Sequence, residues 1–151
     1  MHYFEDFHAG DTFELGPLTV TQEEIITFAK QFDPQYFHID PQRARDSIFG
    51  ELVASGWHTA SLFMRMFYDG LLHDVASMGS PGLDQIRWLR PVRPADTLRG
   101  RFTVTDVRTS KSRPGMGILI SRCEMFNQHN ELLYSFNGTH FVKSNISLQL
   151  R

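Results

Sequence analysis

The chain has 151 residues, 41% of them hydrophobic, and its 15 basic and 17 acidic side chains give a formal charge of −2. That balance excludes a disordered chain, and the absence of any block of like charge argues against a nucleic-acid partner. At this length one domain buries roughly 68–70% of its unfolded surface, and the single cysteine, Cys123, excludes an intrachain disulfide and points to a reducing, cytoplasmic compartment. Met1-His2-Tyr3-Phe4-Glu5-Asp6 lacks the basic and apolar regions of a signal peptide. The most apolar stretch, Ala60 to Leu72, is interrupted by Arg65, Asp69 and Gly70 well short of a bilayer span, so no membrane association is expected.

In chain order, Thr12 to Val20 alternates loosely and is broken by Gly16-Pro17, which predicts a bent edge strand. Thr21-Gln22-Glu23-Glu24 has the form of a capping box, and Ile25, Ile26, Phe28, Ala29 and Phe32 place one apolar face on a helix over about 22–32. Pro34 ends it, and a loop is expected to follow. Asp40-Pro41 offers an N-cap and first-turn proline for a short helix over Gln42 to Ser47, closed by Gly50. Trp57 to Tyr68 has helical length and apolar residues on nearly every face, so it is expected to be enclosed. Beyond a polar loop from Asp74 to Gly82, four strand-like runs follow at Leu83–Leu89, Thr97–Thr109, Met116–Phe126 and Leu132–Lys143. Short connections at 110–115 and 127–130 make the last three antiparallel neighbours. A long apolar helix with five strands predicts an α+β domain over 1–143, its sheet curled around the helix, with a loose tail at 144–151.

Two segments carry chemistry. In Asp33-Pro34-Gln35-Tyr36-Phe37-His38, the proline lets the chain turn a carboxylate and an imidazole toward one point, where a shared water could be activated. From residue types alone, a capping Asp33 and a hydrogen-bonded, semi-buried His38 are the commoner arrangement. Ser55-Gly56 stands at the start of the apolar helix, where free amides and the dipole favour a developing oxyanion. The plain alternative is an N-cap serine followed by a spacing glycine. Trp57, Met64, Met66, Phe67 and Tyr68 suit the wall of an apolar pocket, although such a stripe is core more often than pocket. His58 reads as a solvent-bonded helical histidine, and Cys123 as a buried small residue. A metal centre would recruit His38, Asp40 and His58, whose spacing matches no ligand pattern, so no metal is expected. Arg87, Arg90, Arg93 and Lys111 are candidates for binding phosphates, with ordinary solvated strand charges at least as common an arrangement.

Taken in order, these segments resemble the MaoC-like dehydratase group, which includes the (R)-specific enoyl-CoA hydratases, within the hot-dog fold superfamily. The signature of that group places Asp, Asn-Pro, an aliphatic residue and His, with an acidic residue two positions later. This chain reads Asp33-Pro34-Gln35-Tyr36-Phe37-His38-Ile39-Asp40. Phe49 to Gly56 looks like the segment before the hot-dog helix, and Leu89-Arg90-Pro91-Val92-Arg93-Pro94-Ala95-Asp96-Thr97-Leu98 like the strand and turn that follow. Gln35, Tyr36, Ser55 and Ala95 depart from the usual Asn, Pro, His and Gly, and a helix serine of the group falls at Met64, with Ser61 one turn earlier.

The resemblance implies a hot-dog fold in which Asp33 and His38 form the catalytic pair and the Gly56 amide is the oxyanion hole. Gln35, Ser55, Trp57 and Ser61 are then expected to contact substrate. The implied reaction is reversible hydration of an enoyl-CoA to a 3-hydroxyacyl-CoA, with no cofactor beyond the coenzyme A of the substrate. The implied assembly is a homodimer or higher homo-oligomer. Two other readings stay open: an acyl-CoA thioesterase on the same fold, and a noncatalytic acyl-CoA-binding or assembly subunit.

Overall fold

The computed structural model describes residues 1–146, and the remainder of the expected tail lies outside them. Five strands, β1 (Thr12–Thr19), β2 (Gly82–Trp88), β3 (Thr97–Thr109), β4 (Met116–Phe126) and β5 (Leu132–Lys143), form one antiparallel sheet in the order β1-β3-β4-β5-β2. Four helices, α1 (Gln22–Phe32), α2 (Tyr36–Ile39), α3 (Pro41–Ala44) and α4 (Gly56–Gly70), lie between β1 and β2 in sequence. The strands and α1 fall where the hydrophobic periodicity places them, and β1 is an edge strand whose register shifts between Leu15 and Leu18 around Gly16-Pro17. No helix among the described residues is long and apolar enough to cross a membrane.

Packing follows the strand period of two. Leu98, Phe102 and Val104 of β3 and Leu119, Cys123 and Met125 of β4 are buried on one sheet face, where α4 lies. Phe67 of α4 stacks on Phe102 at 4.9 Å between ring centroids, and Phe63 meets Phe136 edge-on at 5.3 Å. Burial raises the Cys123 thiol pKa to about 12, consistent with an inert core residue.

Several expectations are corrected. The segment after Pro34 is not all loop, because Tyr36–Ile39 forms one helical turn that carries His38. The next helix stops at Ala44, short of Ser47. The capping box at Thr21 is half made: Thr21 Oγ1 accepts the Glu24 amide, and no return bond from the Glu24 side chain is present among the described residues. Nor is α4 enclosed on every side. Trp57, Met64 and Tyr68 are exposed by 62%, 47% and 48%, because a single sheet covers only one face of the helix. The chain after β5 is tied down at its start, where the Ser144 hydroxyl and the Asn145 amide both donate to the Glu5 carboxylate.

Candidate active site

Thr21 caps α1, which ends as Asp33 leaves helical dihedrals before Pro34. The single turn of α2 then swings His38 back over the end of α1. Asp33 Oδ2 and His38 Nε2 come to 3.4 Å, with the histidine side chain only 7% exposed. Each is held from behind. His38 Nδ1 lies 2.6 Å from the Val53 carbonyl, which can only accept, so Nδ1 carries a proton and Nε2 is the ring nitrogen turned toward Asp33. Gln35 Nε2 donates to Asp33 Oδ1 at 2.8 Å, and Ser55 Oγ donates to Asp33 Oδ2 at 2.7 Å. Burial pushes the Asp33 pKa upward, but these two bonds and the neighbouring His38 outweigh it and hold the carboxyl below its ordinary value of 3.8.

Ser55 also starts α4. Its hydroxyl accepts the Trp57 amide at 3.3 Å while donating to Asp33, so one side chain caps the helix and anchors the carboxylate. The Gly56 N–H, the first amide of α4, has no acceptor among the described residues. Trp88 lies against Gly56, with its indole Nε1 donating to the Gly56 carbonyl at 2.8 Å. A Cβ at this position would stand 2.9 Å from the Trp88 ring, so the close approach requires glycine.

Asp33, Gln35, His38, Gly56 and Trp57 line one cavity of about 420 Å³, walled by Trp88 and by the 89–92 turn. Of the residues singled out from the sequence, Ser55 is fully buried behind Asp33 and does not line this cavity. Ser61 lies outside it as well, because its hydroxyl is occupied on the exposed side of α4 by the Trp57 carbonyl at 2.8 Å. Asp40 caps α3 through the Gln42 and Arg43 amides. His58 is not solvent-bonded: it is buried and stacks on Phe28 at 4.7 Å, leaving Nδ1 without a partner among the described residues. Met66 and Phe67 belong to the core.

Among the basic candidates, Arg90 stands at the cavity and pairs with Glu131 at 2.8 Å, and Arg93 pairs with Glu51. The Arg87 guanidinium donates to the Ile86 carbonyl, and Lys111 lies in the β3–β4 turn beside Arg108. Reading the sequence missed two contributors, the Val53 carbonyl and Trp88. Neither has a local signal, since a backbone acceptor has no residue type and Trp88 comes from the end of a different strand.

Residues 6–118 match the model of the MaoC like domain. A Bacillus subtilis protein known as uncharacterized protein YdeM is 28% identical over 125 residues, covering 82% of this chain and 86% of its own length. The 3-hydroxyacyl-thioester dehydratase Z of Mycobacterium tuberculosis is 32% identical over 92 residues, covering 60% of this chain and 61% of that protein. The crystal structure of a MaoC-like dehydratase from Rhodospirillum rubrum superposes with a TM-score of 0.86 at 35% identity, covering 96% of this chain and 99% of that one. A Mycobacterium tuberculosis protein described as a double hotdog fold matches with a TM-score of 0.76 at 16% identity, over 95% of this chain and 44% of its own, a likeness of fold alone. The α+β sheet around α4 is therefore a hot-dog fold, and the chain belongs to the MaoC-like dehydratase family, whose members include hydratases and dehydratases.

Proposed function

We propose that the protein is a hydro-lyase that adds water reversibly across the α,β double bond of an enoyl-CoA, giving a 3-hydroxyacyl-CoA. The observation that carries this reading is the 3.4 Å approach of Asp33 Oδ2 to His38 Nε2 in a cavity that Gly56 also lines. With Nε2 unprotonated, the two atoms are facing acceptors that suit a water donating one hydrogen to each, leaving its own lone pairs free to attack C3. As the C3–O bond forms, electrons move through C2 to the thioester carbonyl, whose growing charge the Gly56 N–H stabilises. The pair takes one proton from the water and supplies one to C2, ending turnover with the protons it began with, so the two groups act jointly. The scheme needs no cofactor beyond the coenzyme A of the substrate.

Gln35 and Ser55 hold Asp33 in this scheme, and Trp57 walls the cavity. Among the described residues strand β2 has a partner only in β5, and most of it is exposed, Leu83 and Trp88 included. Such an edge, continuous with the exposed face of α4, supports a homodimer in which a second copy covers both. The buried, unpaired thiol of Cys123 suits a reducing compartment such as the cytoplasm.

The test is a panel of enoyl-CoA thioesters followed at the conjugated-thioester absorbance, with product analysis and sedimentation alongside. Loss of absorbance with formation of the 3-hydroxyacyl thioester is expected. Stoichiometric release of free coenzyme A would replace this reading with thioester hydrolysis, and binding without turnover would replace it with a noncatalytic role.

A further inference from the structure

Gly56 has no Cβ and stands at the first position of α4, where a helix is least held by its own bonds. Its amide nevertheless has a fixed direction, because the peptide units on either side of it are pinned. The unit before it ends in the Ser55 carbonyl, which accepts the Thr59 amide at 3.0 Å and the Thr59 hydroxyl at 3.3 Å. The unit after it carries the Trp57 amide, which donates to Ser55 Oγ at 3.3 Å, and the Gly56 carbonyl, which accepts the Trp88 indole at 2.8 Å. Both units flanking the Gly56 Cα are thus bonded, and the Gly56 N–H alone has no acceptor among the described residues.

The bonds from Thr59 and Ser55 close within α4 and its cap and would move with the helix as a body. The indole bond comes from the sheet, so it sets the first turn of α4 against the rest of the molecule. Trp88 is itself held. It ends β2 in register with Tyr134 of β5, its ring meets that of Trp57 edge-on at 5.4 Å, and it packs so near the Gly56 Cα that a Cβ there would stand 2.9 Å from it. A water in place of the indole N–H would satisfy the Gly56 carbonyl but, carried by no rigid element, would not fix its direction.

Resting on the hydratase reading, we infer that Trp88 is a positioning residue for the oxyanion hole: its indole N–H, acting through the Gly56 carbonyl, aims the Gly56 amide at the thioester oxygen. The bond from that amide is strongest when charge has developed on the oxygen, so misdirecting it costs turnover more than binding. Loss of the indole N–H forfeits about one hydrogen bond of alignment, about tenfold in kcat.

The experiment uses Trp88→Phe, which keeps an aromatic wall, and a variant in which β-(3-benzothienyl)alanine at position 88 replaces only the N–H by sulfur and preserves the shape of the ring. Each is assayed with the enoyl-CoA that the wild-type enzyme hydrates fastest. The hole is read directly from the infrared carbonyl stretch of the bound saturated counterpart, which has no double bond to hydrate. In both variants kcat is expected to fall about tenfold, KM to change far less, and the bound carbonyl stretch to move back toward that of the free thioester. Unchanged kcat, a rise in KM alone, or a fall in kcat with the carbonyl stretch unmoved would overturn the inference and leave the hydratase reading standing. A wild-type protein that hydrates no enoyl-CoA would remove both.

Discussion

Ser55 Oγ donates to Asp33 Oδ2 at 2.7 Å across 22 residues of sequence, and the same oxygen accepts the Trp57 amide. The helix start and the carboxylate are thus fixed by one atom. Ser55→Ala should let the Asp33 pKa rise, because burial then opposes ionisation with one hydrogen bond fewer. The acid limb of the kcat/KM profile is expected to move to higher pH, with a fall of about tenfold to a hundredfold at neutral pH, the scale of a lost bond to a charged group. An unchanged acid limb would show that Asp33 does not set it.

Asp33→Asn or His38→Ala should each lower hydration by about 10²–10⁴ while leaving the thermal midpoint near that of the parent. Neither side chain is part of the hydrophobic core, though Asp33 adds some stability as an ion. Its depressed pKa means that this contribution is present above the unfolded value of 3.8 and is lost as pH falls through the lower folded value. Near-normal turnover by either variant would dismiss the pair as the reacting groups.

Gly56→Ala forces a methyl to within 2.9 Å of the Trp88 indole, which is itself bonded to the Gly56 carbonyl. The ring or the first turn of α4 must move. Because an oxyanion donor acts most strongly in the transition state, kcat should fall by about 10² or more, with KM changing far less. Steady-state kinetics would contradict this if only KM rose.

His140 offers a stability prediction independent of activity. Its folded pKa, about 4, lies below the ordinary 6.5, so the unfolded chain binds more protons in that interval and stability rises with pH across it. Acidification from about 6.5 to about 4 should lower the unfolding free energy by on the order of 1 kcal/mol per pH unit. The lowered pKa of buried His58 acts in the same direction. Chemical denaturation of His140→Leu at a series of pH values should show a shallower slope.

Strand boundaries were the most legible part of the sequence. The ranges expected for β3, β4 and β5 match the structure because polar turns at 110–115 and 127–130 interrupt clear alternation. Asp33, His38 and Gly56 were also legible, the first two through a proline that forbids a continuous helix. What periodicity could not give is which surface covers an apolar face, and so the exposed Trp57, Met64 and Tyr68 were unforeseen. Nor could it reveal that Ser55 serves Asp33 or that Val53 fixes the His38 tautomer, since both depend on segments distant in sequence. Ala95, where the family usually has glycine, has φ of +71°, which gives the physical reason for that preference.

Trp57 and Trp88 meet edge-on at 5.4 Å and both line the first cavity, and they are the only two tryptophans in the chain. Tryptophan fluorescence of this molecule, excited at wavelengths where tyrosine does not absorb, therefore originates at the mouth of the site. A ligand entering there would perturb both tryptophans at once, with no distant indole to dilute the change, so occupancy can be titrated optically without a label.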